Sequence, residues 1–293
     1  MGGEAAVVDA ESVCAAFVSA SCARHLACDR HDFTQYYGSI ERCRVRNQPI
    51  CLDELGAADS GVTLAGLSAC SDAVEAAGCE AGIERPLPAC AFDGSRSNDS
   101  GCRYDSQCES GFCNRPLRSW CGTCAAQGAA GDECDRNRPN GCEPGLTCAS
   151  GGSCVAPMGA GASCTSNADC SAGLRCNRET VRVCAPLSRL NETCGELVDC
   201  DPSLGLYCNE SGLCAPASYA SAGDACDFES GLYCSASSTC KAGEAMPAAA
   251  GTCDAPAGDG DACSLMNGLG CEGPSLCIES RCEPAAPASS CPG

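Results

Sequence analysis

Residues 163–186 read SCTSNADCSAGLRCNRETVRVCAP. Four cysteines, Cys164, Cys170, Cys176 and Cys184, frame a turn-rich segment whose main apolar residue, Leu174, stands just before the third. Versions of this unit recur from Cys102 to the end of the chain. First cysteines fall at Cys102, Cys134, Cys164, Cys194, Cys226 and Cys263, spaced 32, 30, 30, 32 and 37 residues apart. A sustained period in this range signals a repeat array. The quartets read as Cys102, Cys108, Cys113, Cys121; Cys134, Cys142, Cys148, Cys154; the quoted four; Cys194, Cys200, Cys208, Cys214; and Cys263, Cys271, Cys277, Cys282. SGFC, PGLTC, AGLRC, LGLYC, SGLYC and PSLC mark the third position, and C-x-P often follows the fourth. Gly there permits a positive-φ turn, and Leu or Phe supplies a single apolar plug.

The fifth unit departs: Cys226, Cys234 and Cys240 leave the second position empty, and Cys253 is gained downstream. A lost second cysteine with a replacement in reach of the fourth implies that first pairs with third and second with fourth. The expected bridges are Cys134–Cys148, Cys142–Cys154, Cys164–Cys176, Cys170–Cys184, Cys194–Cys208, Cys200–Cys214, Cys226–Cys234, Cys240–Cys253, Cys263–Cys277 and Cys271–Cys282. Cys124 and Cys291 stay unassigned.

Composition supports staples over packing. Cys makes up 34 of 293 residues, above the ~8–10% that marks a disulfide scaffold, and aromatics are 4%. Closing each loop of ~10–15 residues is worth roughly 3 kcal/mol through the unfolded chain, which offsets ordering entropy in units too small to fold by burial. Short two-stranded hairpins such as 174–184 are expected. Sparse large apolar residues and linkers such as 156–162 and 242–251 predict an elongated, semi-flexible array.

So many cysteines call for an oxidising compartment. A thiolate metal store would want dense C-x-C or C-x-x-C runs; these cysteines are mostly five or more apart, and only His25 and His31 are present. Net charge is −20, which disfavours nucleic acid and anionic membrane surfaces. No apolar run approaches the ~20 residues of a membrane span, and no charged n-region with an apolar h-region follows Met1. The expectation is an export signal already removed, of the lipoprotein type ending at a lipidated Cys; a hydrophobic segment upstream in the full-length gene is the check. Residues 1–8 read as a disordered tail.

Residues 9–91 read differently, as a helical cysteine-rich domain. Asp9 is an N-cap with Glu11 in the first turn, and Val13, Phe17, Val18 and Leu26 suggest one apolar face. A second helix is expected over 33–46, with Phe33, Tyr36, Tyr37, Ile40 and Cys43 at helical spacing, ended by Asn47-Gln48-Pro49. A third covers 62–77. Cys14, Cys22, Cys28, Cys43, Cys51, Cys70, Cys79 and Cys90 imply four bridges whose connectivity is open among 105 pairings; helix faces favour Cys22 or Cys28 with Cys43 or Cys51. Residues 92–101 are a polar linker.

With its G-x-x-C starts, G-L-x-C centres and C-x-P ends, 92–293 resembles the Dickkopf N-terminal cysteine-rich type of repeat, as found in secreted and lipid-anchored bacterial surface proteins. The resemblance implies extracellular placement and a binding or structural role. It carries over no ligand, because the receptor-contact residues of the animal proteins have no matching motif here, and the N-terminal bundle lies outside it.

Several motifs invite chemistry. Trp120-Cys121-Gly122-Thr123-Cys124 looks like a thioredoxin W-C-G-x-C site but lacks the preceding strand and the following helix, so a structural role is favoured. Cys22, His25, Cys28 and His31 step by three; each step turns about −60°, so one helix spreads them over half its circumference, and bridged Cys with surface His is preferred to zinc. Asp254, Asp259 and Asp261 lack the EF-hand ladder. Asn98, Asn191 and Asn209 head N-x-S/T sequons, meaningful only in a eukaryotic secretory pathway. No hydrolase, Walker or Rossmann motif is present.

The fold class is therefore small and disulfide-rich: a stapled α-helical bundle, then an array of ~30-residue repeats. The expected function is a secreted or lipid-anchored, non-enzymatic surface protein serving adhesion, recognition or envelope structure. It has no cofactor and no metal, and its partner is an extracellular protein or glycan. The alternative is protease-inhibitor-like modules presenting Arg115, Arg178 or Arg182. Thiol redox and metal binding rank below both.

Overall fold

The computed structural model describes residues 9–79, 87–116, 118–135, 141–177, 182–195, 200–242, 249–264, 270–285 and 287–291. It is a disulfide-rich chain in which all 34 cysteines pair, in 17 bridges, with none free. An N-terminal helical head is followed by six units built on short antiparallel hairpins. Residues 1–8, expected as a tail, lie outside the described residues.

The head has four helices: α1 (Ala10–Cys28), α2 (Arg30–Tyr36), α3 (Ile40–Gly56) and α4 (Leu64–Ala76). Each starts on a side-chain cap: Asp9, Asp29, Ser39 and Thr63 accept from the backbone N–H three residues on. The expected single helix over 33–46 is two. Gly38, at φ +75°, breaks it, and Ser39 caps the next. Nor does Pro49 end α3. The helix runs through it to Gly56, and the carbonyl of Val45, on an exposed turn, loses the N–H that residue 49 would otherwise donate. Tertiary staples override the local cost: Cys22–Cys43 and Cys14–Cys51 pin α3 to α1 on both sides of the proline. Cys28 instead reaches Cys79, and Cys70 reaches Cys90. Val13, Val18, Phe33, Val62 and Leu67 pack around the two rungs.

The unit of residues 158–186 shows how the array is built. Met158 lies in parallel register with Cys170, its N–H donating to Asp169 O and its carbonyl accepting from the Ser171 N–H, both at 2.8 Å. Gly161, at φ +82°, turns its N–H onto the carbonyl of Cys184, and the Cys184 N–H returns to Ala162. Leu174–Asn177 then pairs with Val183–Pro186, placing Cys176 opposite Cys184. These two do not bond each other; each reaches back, in Cys164–Cys176 and Cys170–Cys184. The buried cluster is those four half-cystines, flanked by Met158 and Leu174.

The same frame recurs six times. Third and fourth cysteines face each other at Cys113 and Cys124, Cys148 and Cys154, Cys176 and Cys184, Cys208 and Cys214, Cys240 and Cys253, and Cys277 and Cys282. The left-handed residue three before each first cysteine is Asp99, Gly131, Gly161, Asn191, Gly223 or Gly260, and its N–H meets the fourth cysteine's carbonyl at 2.7–2.8 Å every time. Bridges join first to third and second to fourth throughout: Cys102–Cys113 and Cys108–Cys124, Cys134–Cys148 and Cys142–Cys154, Cys194–Cys208 and Cys200–Cys214, Cys263–Cys277 and Cys271–Cys282.

This frame corrects two assignments. In the fifth unit the bridges are Cys226–Cys240 and Cys234–Cys253, not Cys226–Cys234 and Cys240–Cys253. Ala220 lies in parallel register with Cys234, as Met158 does with Cys170, so Cys234 holds the second position despite the SGLYC text before it. The unit has lost no cysteine; it has a long insertion between its third and fourth, around 242–249, and a five-stranded sheet instead of a lone hairpin. In the first unit the fourth cysteine is Cys124, not Cys121. Cys121 is free to bridge Cys291, 170 residues away.

The array curls back onto the head, so its expected elongated course is closed. Residues 92–101 are no linker: the Gly94 N–H donates to Cys108 O, and Arg96 pairs with Asp59 at 3.1 Å and is in parallel register with Cys108. Residues 156–162 likewise open the third unit. Tyr104 and Ser106 of the first unit donate to Asp53 and Glu54 of α3, each at 2.7 Å. The turn Pro202–Leu204 of the fourth unit lies against α1 and α2. Ala236 and Ser237 of the fifth donate backbone N–H groups to Thr34 and Gln35. Arg42 and Arg46 of α3 pair with Glu272 and Asp259 of the sixth, both at 2.8 Å. Asp53 also accepts the Ala288 N–H at 2.9 Å, next to the Cys121–Cys291 closure. No helix among the described residues is long and apolar enough to cross a membrane.

A candidate recognition groove on the helical head

Helices α1 and α3 run antiparallel, held by rungs at Cys14–Cys51 and Cys22–Cys43. Between them lies an open cavity of about 260 Å³, lined by Phe17, Val18, Ser21 and His25 from one side and Asn47, Ile50 and Glu54 from the other, with Tyr37 and half-cystines Cys22, Cys43 and Cys51. Phe17, Val18 and Ile50 make apolar walls. Polar groups sit towards the two ends. At one end Asn47 Nδ2 donates to the Tyr37 hydroxyl at 3.1 Å and to Cys43 O at 2.8 Å. Burial pushes the Tyr37 phenol upwards, partly countered by that hydrogen bond. His25 stands edge-on to Tyr37, its Nε2 3.1 Å from Asp32 Oδ2; that hydrogen bond holds the Asp32 carboxyl below the usual range.

Glu54 occupies the other end. Ser106 Oγ donates to its Oε1 at 2.7 Å, and Oε2 has no hydrogen-bond partner among the described residues. Removal from water holds this carboxyl above the usual glutamate range, the Ser106 bond offsetting only part of the shift. No arginine pairs with it directly; Arg103 and Arg115 act only through space. Such a cavity, with apolar walls and few placed polar groups, is suited to holding a small ligand. Its cysteines are all bridged, so it offers no thiol. A second cavity, of about 200 Å³, lies where α3 meets the first and sixth units. Its charged groups are already engaged: Arg46 with Asp259, and Asp53 with Tyr104.

The residues singled out in the sequence are dispersed. Cys22 and Cys28 are bridged to Cys43 and Cys79, so neither offers a thiolate beside His25 or His31. His31 faces the fifth unit, its Nδ1 3.0 Å from the Tyr219 hydroxyl and its ring edge-on to Tyr233; burial pushes its pKa down. Groups of three cysteine sulfurs cluster within the repeats, but each sulfur belongs to a bridge. Cys121 and Cys124 are bridged elsewhere, not to each other. Trp120 instead stacks on Arg103, whose guanidinium carbon sits 4.4 Å from the ring centroid. Asp254 pairs with Lys241 at 3.6 Å, Asp259 with Arg46, and Asp261 accepts the Gly258 N–H, so the three do not converge. Asn98 and Asn191 are exposed; Asn209 folds its side chain onto the N–H groups of Ser211 and Leu213. Arg182 has φ +45°, which turns the chain away from the extended form a protease cleft reads. Arg115 is half-buried, with its Cγ close over Gly122. Arg178 lies outside the described residues.

Sequence reasoning did not find the groove. The signal was available: Cys14 and Cys22 stand eight apart, as do Cys43 and Cys51, the spacing of two rungs between antiparallel helices. No protein-family model, no curated protein and no solved structure matches this chain.

Proposed function

We propose that this is an extracellular or surface-anchored recognition protein, in which the disulfide-stapled array acts as a collar that holds the helical head and leaves its α1–α3 groove open. The observation that carries this reading is the closure of the array. Contacts from four of the six units and the Cys121–Cys291 bridge fix the collar to α1, α2 and α3, while the groove face stays uncovered enough to leave a cavity. Bridging of every cysteine supports an oxidising compartment. The absence of any thiolate, and the engagement of both histidines in structural contacts, favour binding over catalysis. The repeat text resembling Dickkopf-type modules supports the same placement.

The test is localisation coupled to thiol state in the native cell. Labelling with a membrane-impermeant reagent, with thiols counted by alkylation before and after reduction, is expected to find the protein surface-accessible and without free thiols. A protein shielded from the reagent and carrying reduced cysteines would end this reading.

A further inference from the structure

We infer that the α1–α3 groove binds a small amine: an ammonium group held by Glu54, carried on an apolar or aromatic body lying between Phe17, Val18 and Ile50. The inference rests on the reading of the groove as a recognition site, and names what it takes. Three observations converge. First, the cavity, at about 260 Å³, lies just under the ~300 Å³ at which small-ligand pockets begin, so a small body is what fits it. Second, its walls are apolar, which favours a body with little polarity. Third, the one acid of the lining is half satisfied. Glu54 Oε1 is taken by Ser106, and Oε2 is unpartnered among the described residues.

Glu54 is half-buried, and a carboxyl partly withdrawn from water without a paired cation is an unfavourable arrangement, in keeping with its raised pKa. Titratable groups displaced in this way gather at functional sites. An ammonium on Oε2 would supply the missing charge, and Ser106 would keep its bond to Oε1. The groups around Glu54 are Asp105 and Ser106 of the first unit and the more distant Arg103 and Arg115. His25 and Tyr37, across the groove, are held by Asp32 and Asn47. Binding requires the ionised carboxylate, so affinity should fall as pH is lowered through the raised Glu54 pKa.

Titration of the full chain with phenethylamine, followed by amide NMR at ~0.15 M salt where long-range attraction to the −20 net charge is screened, tests this. The neutral control is phenethyl alcohol, of the same size. The expected result is saturable shifts around Phe17 and Ile50, with the alcohol and the Glu54→Gln variant each weaker by about ten- to a hundredfold, the range for a hydrogen bond to a charged group. Ser21→Phe, which leaves Glu54 intact and fills the groove, should abolish binding; it serves as well if Glu54→Gln disturbs folding. Equal binding of amine and alcohol overturns the ligand class while leaving the groove a recognition site. Amine binding that survives Ser21→Phe overturns the site. No shift with either probe at millimolar concentration overturns the inference and the groove as a recognition site together.

Discussion

Replacing both members of the long-range bridge, Cys121→Ser with Cys291→Ser, tests whether the array is a closed collar. The bridge spans 170 residues. In the chain-entropy treatment a loop of that length is worth about 5 kcal/mol. The remaining bridges shorten the path: stepping across the units, the effective loop is roughly 100 residues, and the value falls only to about 4.7 kcal/mol because the dependence is logarithmic. A denatured chain held by sixteen other bridges is already compact, so the measured loss should lie at about 2–5 kcal/mol. The native contacts of Asp53, Arg42 and Arg46 remain in the variant and do not enter the difference. The assay is guanidinium unfolding followed by helical circular dichroism, on variant protein whose other bridges have been verified by peptide mapping. Hydrogen exchange should accelerate first at 287–291. A loss below about 0.5 kcal/mol with unchanged exchange there would refute the reasoning, since the bridge would then constrain nothing.

Three further outcomes follow from single side chains. Arg46→Ala removes a two-pronged pair with Asp259 and bonds to Gly273 O, Glu272 O and Ser275 Oγ. Breaking a buried pair costs about 3–5 kcal/mol, but the Asp259 side chain is 37% exposed, so about 2–3 kcal/mol is expected in chemical denaturation, with faster exchange in the sixth unit. Glu54→Gln should stabilise at neutral pH. The folded-state pKa of Glu54 is raised, so its contribution is most favourable below the ordinary glutamate pKa and is lost as pH rises through the folded value. The gain in melting temperature should therefore be present at pH 7–8 and vanish near pH 4. Gly38→Ala should destabilise by about 1–2 kcal/mol, because φ is +75° and a Cβ would lie 2.8 Å from that of Ala236; thermal unfolding reads it, and an unchanged midpoint would show that the α2–α3 break tolerates a side chain.

The array was legible because its signals are local. The G-x-x-C start works through a left-handed residue whose N–H meets the fourth cysteine's carbonyl, and any residue that tolerates that conformation will serve, as Asp99 and Asn191 show. Misassignment came where a local signal is shared by two positions. SGLYC precedes a second cysteine in the fifth unit because the frame depends on backbone register with Ala220, not on the text before the cysteine. Trp120-Cys121-Gly122-Thr123-Cys124 hides a fourth cysteine behind an extra one, and only the partner Cys291 explains the extra. In the head, caps and apolar periodicity mark the helices, but Pro49 does not end α3, which two bridges pin to α1 on both sides of it. The collar was not legible, and of the groove only the paired eight-residue cysteine spacing was. What sets Glu54 beside Ser106 and Arg46 beside Asp259 are contacts between residues more than fifty positions apart, and no local pattern encodes these.

The central claim is that seventeen bridges, twelve of them joining first to third and second to fourth cysteines in the six units, hold the chain and take the place of a conventional core in the array. Its most direct test is mass-spectrometric mapping of unreduced, natively purified protein. The account predicts an intact mass about 34 Da below the fully reduced chain, one hydrogen lost per cysteine, with linked peptides joining Cys226 to Cys240, Cys234 to Cys253 and Cys121 to Cys291. Peptides joining Cys226 to Cys234, or a substantial content of free thiols, would contradict it.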